Sequence, residues 1–371
     1  MNIGVLNESY KIENRAGLTP STVSLLTEKG HTVYVEAGAG LKAGYTNEEY
    51  VAQGAKIVFT KDEVFGRADV VLNISPLNQE ECKMVRDGQL LFGFHHLVIV
   101  RKSVLECLLK KKVTMIGYEI VQEDDDLLPF IESLSEVAGQ LCLAISGHYL
   151  QTSQGGRGVI IGGVVSVPPT TAVVIGSGVL ARSAVKSLLG AGAQTIALGR
   201  NMDNLRELEE MTSGRVITLF ASKYNLARMT KIADILIGAV LFPGERAPIW
   251  ITRDMVKTMK KGSLIIDLAI DQGGCIETSR LTTLEQPTYI DEGIIHYCVP
   301  NITSAVSRTS TKVLSNLVIS FLLQIGELGI EQTLRENKSL ARGVYVYKGR
   351  MTKKSIAERF NLQYKDLSSF L

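Results

Sequence analysis

The run Ala172-Val173-Val174-Ile175-Gly176-Ser177-Gly178-Val179-Leu180-Ala181 constrains this chain more than any other segment. Four small or branched apolar residues read as a short buried strand, two glycines turn the backbone, and a helical pattern follows from about Val179 to Leu189. Gly176 permits the tight turn, Gly178 lets an anionic group approach the backbone, and small Ala181 lets the helix pack closely on the strand. The helix N-terminus then supplies N–H groups and partial positive charge, an arrangement suited to a dinucleotide pyrophosphate. Strand, turn and helix in that order imply a βαβ unit in a parallel sheet covered by helices.

Other strands alternate with helical patterns in the same way: Ile3 to Val5, Thr32 to Val35, Ile57 to Phe59, Val70 to Ile74 and Leu90 to Phe94, then a second series from Ala172 to about Pro300. Thr19 and Pro20 read as cap and first residue of a helix with Val23, Leu25 and Leu26 inward and Gly30 at its end. Ser133-Leu134-Ser135-Glu136 offers a capping box, with Ser133 at the cap of a long helix reaching Leu150. A second long amphipathic pattern runs from about Ser304 to Leu328. The expected fold is α/β, two Rossmann-like domains with parallel sheets joined by two long helices across a cleft. The first domain is discontinuous, residues 1–132 plus 305–371, and residues 133–304 form an inserted dinucleotide-binding domain.

A chain of 371 residues exceeds one ordinary core, which agrees with two domains. The formal charge is only +2 and its Lys and Arg residues are dispersed, which argues against nucleic acid as a partner. Cys82, Cys107, Cys142, Cys275 and Cys298 are scattered and odd in number, so they read as reduced thiols rather than a disulfide frame or a metal site. The chain opens directly on strand-like Met1 to Val5, and no apolar run reaches the roughly 20 residues that a bilayer requires. The expected location is the cytoplasm, with no membrane partner.

The strand Gln194 to Leu198 leads into Gly199-Arg200-Asn201. An NAD site usually places a carboxylate there for the ribose 2′-OH, whereas Arg200 offers a guanidinium suited to a 2′-phosphate. NADP(H) is the expected cofactor, with NAD(H) possible.

Longer motifs run the length of the chain: Glu13 to Pro20 (ENRAGLTP), Val35 to Gly40 (VEAGAG), Ser135 to Gly139 (SEVAG), Ile237 to Leu241 (IGAVL) and Ile270 to Cys275 (IDQGGC). On these motifs the chain resembles the alanine dehydrogenase family, related to the cofactor-binding subunit of proton-translocating transhydrogenase. The resemblance implies a homo-oligomer, a hexamer or dimer. It also implies a substrate domain in the discontinuous half and reversible oxidation of an amine to an imine and then a 2-oxo acid. It assigns Arg15 to the substrate carboxylate, His96 to proton transfer and Asp271 to the charge developing near the nicotinamide. Beside Gly176, Gly178, Gly199 and Arg200, it assigns Ser135, Val179, Ala239, Val240, Leu241 and Asn301 to the cofactor. His95 reads as structural.

Two departures accompany the resemblance. The family's strand end carries a carboxylate-binding lysine, whereas this chain reads Asn73-Ile74-Ser75-Pro76, so Asn73 and Ser75 stand in the substrate site without a cation. Residues 301–307 (NITSAVS) lack the family's prolines. The leading expectation is an NADP(H)-dependent amino-acid or imine oxidoreductase with altered specificity. Its alternatives are a plain alanine dehydrogenase and a catalytically silent dinucleotide-binding regulatory protein.

Overall fold

Runs of Val, Ile and Leu alternate with capped helices along the chain and sort into two sheets. The computed structural model describes residues 1–8, 13–98, 100–240 and 247–371. In chain order come β1 (Asn2–Val5), α1 (Pro20–Glu28), β2 (Thr32–Glu36), α2 (Asn47–Ala52), β3 (Lys56–Val58), α3 (Lys61–Arg67), β4 (Val70–Asn73), α4 (Gln79–Met84), β5 (Leu90–Gly93), α5 (Lys102–Lys110) and β6 (Thr114–Gly117). After α6 (Pro129–Tyr149) follow β7 (Thr171–Ile175), α7 (Val179–Gly190), β8 (Gln194–Gly199), α8 (Met202–Met211), β9 (Ile217–Phe220), α9 (Lys223–Ile232), β10 (Ile235–Gly238), α10 (Arg253–Lys257), β11 (Leu264–Asp267), β12 (Thr288–Asp291) and β13 (Ile294–Tyr297). The chain ends with α11 (Ser307–Glu336), α12 (Lys338–Arg342), β14 (Val344–Tyr347), β15 (Arg350–Met351) and α13 (Lys354–Phe360).

Met1–Ser133 and Ser304–Leu371 form one compact unit, and Leu134–Thr303 the other. The first unit's sheet has the order β15-β14-β6-β5-β4-β1-β2-β3, and the second unit's has β12-β13-β11-β10-β7-β8-β9. In each the strand order reverses between two neighbours, β1 and β4 in one and β7 and β10 in the other. The carboxyl ends of such a pair form the switch point where α/β sheets bind ligands. The second sheet is buried on both faces: Val174, Ile237 and Ile266 enter one apolar cluster, while Val173, Leu236 and Ile265 enter another.

Five sequence expectations change. The sheets are mixed rather than wholly parallel: β12 pairs antiparallel with β13, and β14 with both β6 and β15. For β12–β13 and β14–β15 the reason is local, since Glu292 and Gly293 (φ 51 and 70) and Lys348 and Gly349 (φ 46 and 77) make the left-handed two-residue turns that close hairpins, whereas β14 meets β6 through the return of the chain from α12. Next, α6 starts at Pro129, one turn before Ser133, because proline at a first helical position forfeits no intrahelical bond. Leu25 is 49% exposed, since two residues from Val23 it points about 200° around the helix.

Cys82 and Cys107 are joined in a disulfide (Cα–Cα 6.5 Å), while Cys142, Cys275 and Cys298 are free and buried. Sequence spacing hides this pair because it arises from α4 packing on α5. Finally, the segment Ile302–Glu336 is long and apolar enough to cross a bilayer by length and composition, contrary to the expected absence of such a run. Leu314, Val318, Phe321, Leu322 and Ile325 bury one stripe of α11 in the first unit, and the helical path breaks at Gly329 (φ 76).

Candidate functional site

In the second unit the glycine turn lies at the carboxyl end of β7. Gly176 holds φ 127, and a Cβ there would stand 2.2 Å from the Ala239 carbonyl oxygen. Gly178 is exposed, and a Cβ on it would meet nothing within 4 Å. The helix α7 carries no side-chain cap, so the N–H groups of its first turn, from Val179 onward, serve whatever occupies that open space. Close backbone, free room and an uncapped helix N-terminus fit a dinucleotide pyrophosphate.

Two neighbouring segments complete this surface. A Cβ on Gly139 of α6 would lie 2.6 Å from the Leu180 carbonyl oxygen, and the Ser183 hydroxyl donates to the Glu136 carbonyl at 2.6 Å. This close crossing packs α6 against the first turns of α7, and Ser135 lies one turn before Gly139 on α6. Across the switch point, the Ala239 N–H donates to the Ile175 carbonyl at 2.8 Å, and Val240 follows. Leu241 lies outside the described residues.

At the end of β8 a Cβ on Gly199 would fall 2.8 Å from the Ser177 hydroxyl. The place of an acidic side chain is thus taken by Ser177. Arg200 is exposed and lies with Cζ 4.5 Å over the Trp250 ring. Asn201 caps α8 by accepting the Asp203 and Asn204 N–H groups at 2.9 and 3.1 Å.

Asp271 is exposed in the short helical turn Ile270–Gln272, where its carboxylate accepts the Asn301 N–H at 3.4 Å. Buried Asp267 holds both ends of that loop, accepting N–H groups from Ala269 (3.1 Å), Cys275 (3.0 Å) and Ile276 (3.2 Å). Burial pushes the Asp267 carboxyl above its ordinary range, although hydrogen bonds from Ser279 and these amides oppose the shift.

In the first unit the remaining candidates gather at the carboxyl ends of β1, β4, β5 and β6. Buried Glu8, after β1, accepts the Ile74 and Ser75 N–H groups at 2.5 and 2.7 Å across the switch point. Asn73 is fully buried and donates through Nδ2 to the Ser75 and Phe94 carbonyls at 3.0 and 3.2 Å. Arg15 is 4% exposed, bound by Glu13, and lies with Cζ 5.9 Å from the Phe94 ring centroid. Burial raises the Glu13 carboxyl, but the Arg15 charge, its hydrogen bonds and the Ser304 hydroxyl outweigh that and hold it below the usual range.

His96 is exposed and stacks on Phe94, with ring centroids 5.5 Å apart and planes 8° from parallel. His95 is buried, and that burial pushes its imidazole below the ordinary value despite the nearby Glu119 charge, so the ring stays neutral. His96 adopts φ 44, a left-handed backbone that costs a side-chain-bearing residue about 1–2 kcal/mol.

Arg15, Asn73, Ser75 and His96 thus converge in one unit, and Gly176, Gly178, Gly199, Ala239 and Asp271 belong to the other. Sequence reasoning missed four carboxylates, Glu8, Glu13, Glu119 and Asp267. Only Glu13 carried a local signal, the Glu-x-Arg spacing to Arg15.

Two Rossmann-like units, one bearing a glycine turn and an open helix N-terminus, define a dinucleotide-binding α/β enzyme. The Alanine dehydrogenase/PNT N-terminal domain family matches residues 4–138, and the C-terminal domain family matches residues 142–354. The curated alanine dehydrogenase of Methanococcus maripaludis is 41% identical over 365 residues, 98% of each chain. Alanine dehydrogenase 2 of Staphylococcus aureus is 39% identical over 372 residues, 100% of each chain. A solved L-alanine dehydrogenase superposes with TM-score 0.92 at 37% identity, covering 97% of this chain and 99% of the other. The chain belongs to the alanine dehydrogenase/PNT family and is an oxidoreductase that binds a nicotinamide dinucleotide.

Proposed function

We propose that this protein interconverts an amino acid or amine with its imine and 2-oxo acid, using NADP(H), in the manner of an alanine dehydrogenase with altered substrate. The observation that carries the reading is Phe94, which has the Arg15 guanidinium 5.9 Å from its ring centroid and the His96 imidazole stacked on it. A guanidinium holds a carboxylate bidentately, and an imidazole takes and returns protons near neutral pH. Arg15 therefore orients the substrate, and His96 moves the proton at its nitrogen or oxygen. Asp271 stabilises the positive charge of the forming iminium. The bound nicotinamide supplies hydride transfer.

The NADP(H) preference rests on Gly199 and Ser177, which leave no carboxylate at the end of β8, and on Arg200, whose cation stands beside that point. NAD(H) remains usable through the same turn. Altered specificity rests on Asn73 and Ser75, which bring no cation to the end of β4. The expected assembly is a homo-oligomer, hexamer or dimer, in the cytoplasm, and sedimentation reads its size.

The second reading, plain alanine dehydrogenation, is favoured by 41% identity along nearly the whole chain. A panel of 2-oxo acids with ammonia or amines, and of the matching amino acids, assayed with NADPH and NADH side by side, separates the two. Turnover confined to alanine and pyruvate with NADH selects the second. No turnover under any pairing, or full activity in His96→Ala, overturns the enzyme mechanism proposed.

A further inference from the structure

We infer that Glu119 is a positioning residue whose carboxylate fixes the backbone turn that presents His96. Glu119 follows the end of β6, and its Oε1 accepts the His96 N–H at 2.6 Å and the His95 N–H at 3.2 Å. Its second oxygen lies 3.4 Å from the His95 nitrogen. One carboxylate therefore binds two successive amides, in a turn where His96 holds the left-handed φ of 44 that a non-glycine residue rarely adopts. The turn sends the two rings to opposite fates. His95 goes into the core near the Leu91 carbonyl, and His96 goes out onto Phe94.

The returning C-terminal segment comes beside this carboxylate. Tyr345 on β14 is 4% exposed, and burial together with the Glu119 charge pushes its phenol up. Gly117 makes room for the two side chains, because a Cβ there would stand 2.4 Å from the Tyr345 ring and 3.1 Å from the Glu119 Oε2. The tail beyond residue 343 thus lies beside the carboxylate that binds the His96 amide, though it is remote in sequence.

The inference rests on the reading of His96 as the proton-transfer group. Glu119→Ala removes the acceptor, and Glu119→Gln keeps a carbonyl oxygen for the two amides. For Glu119→Ala we expect kcat to fall by roughly 10²-fold, the usual cost of a misplaced catalytic group, with the dissociation constant for NADPH unchanged. Glu119→Gln recovers most of that loss. A crystal structure of Glu119→Ala should show His96 released from the left-handed region and from its stack on Phe94.

A wild-type kcat in Glu119→Ala, or an unchanged His96 φ and stack in its crystal structure, overturns the inference. Should His96→Ala retain full activity, the proton-transfer reading fails instead. The crystal structure of Glu119→Ala then decides the positioning role by itself.

Discussion

Glu13 and Arg15 meet edge to edge, Nε to Oε1 at 2.8 Å and Nη2 to Oε2 at 2.7 Å, with side chains only 2% and 3% exposed. Two of the five N–H groups of the guanidinium are committed to that carboxylate, which sets its plane before any substrate arrives. The pair is a preorganised fork held beneath Phe94, and it makes the first prediction.

Glu13→Ala leaves a buried cation without this partner, a change that costs about 3–5 kcal/mol for buried pairs. Thermal unfolding followed by calorimetry should show a large loss, together with a raised KM for the carboxylate substrate. The pH dependence has a definite sign. The folded Glu13 pKa is depressed, so its contribution is present above the unfolded value of about 4.3 and lost as pH falls through the folded value. Wild type should lose stability faster than Glu13→Gln on acidification in that window, and parallel curves would contradict the pairing.

Cofactor choice should respond to residues 177, 199 and 200. Arg200→Ala removes one charge-assisted contact to a 2′-phosphate, about 1.5–3 kcal/mol, or roughly one to two powers of ten in NADPH affinity, and leaves NADH untouched. Gly199→Asp alone crowds Ser177, whose hydroxyl lies 2.8 Å from the new Cβ and must shift. The double variant Ser177→Gly with Gly199→Asp should bind NADH more tightly than wild type. Fluorescence titration with both cofactors checks each arm.

Ser75→Lys restores a cation at the end of β4. On the altered-specificity reading, alanine and pyruvate turnover should rise, with KM falling by roughly one to two powers of ten. Unchanged constants in steady-state assays would favour the plain alanine dehydrogenase.

Asp267→Asn exchanges one oxygen for an N–H group facing the amides that both Asp267 oxygens now accept. Each buried amide left without an acceptor costs about 1–3 kcal/mol. The loop carrying Asp271 should loosen, lowering kcat and the melting temperature together. Hydrogen exchange at Cys275 and Ile276 measures the loosening directly, and unaltered protection there would refute the clamp.

The sequence by itself determined the glycine turn, the alternation of strands and helices, and the α/β class, because backbone freedom, helix starts and apolar period are properties of residues adjacent in the chain. It also named Arg15, His96 and Asp271, through motifs. Only the tertiary structure decided that Cys82 meets Cys107, that Ser177 fills the space beside Gly199, and that Tyr345 comes beside Glu119 at Gly117. Those relations join residues as far as 226 positions apart, Glu119 to Tyr345. A carboxylate bound to distant amides leaves no periodic mark, so its partners exist only once the strands have been brought side by side.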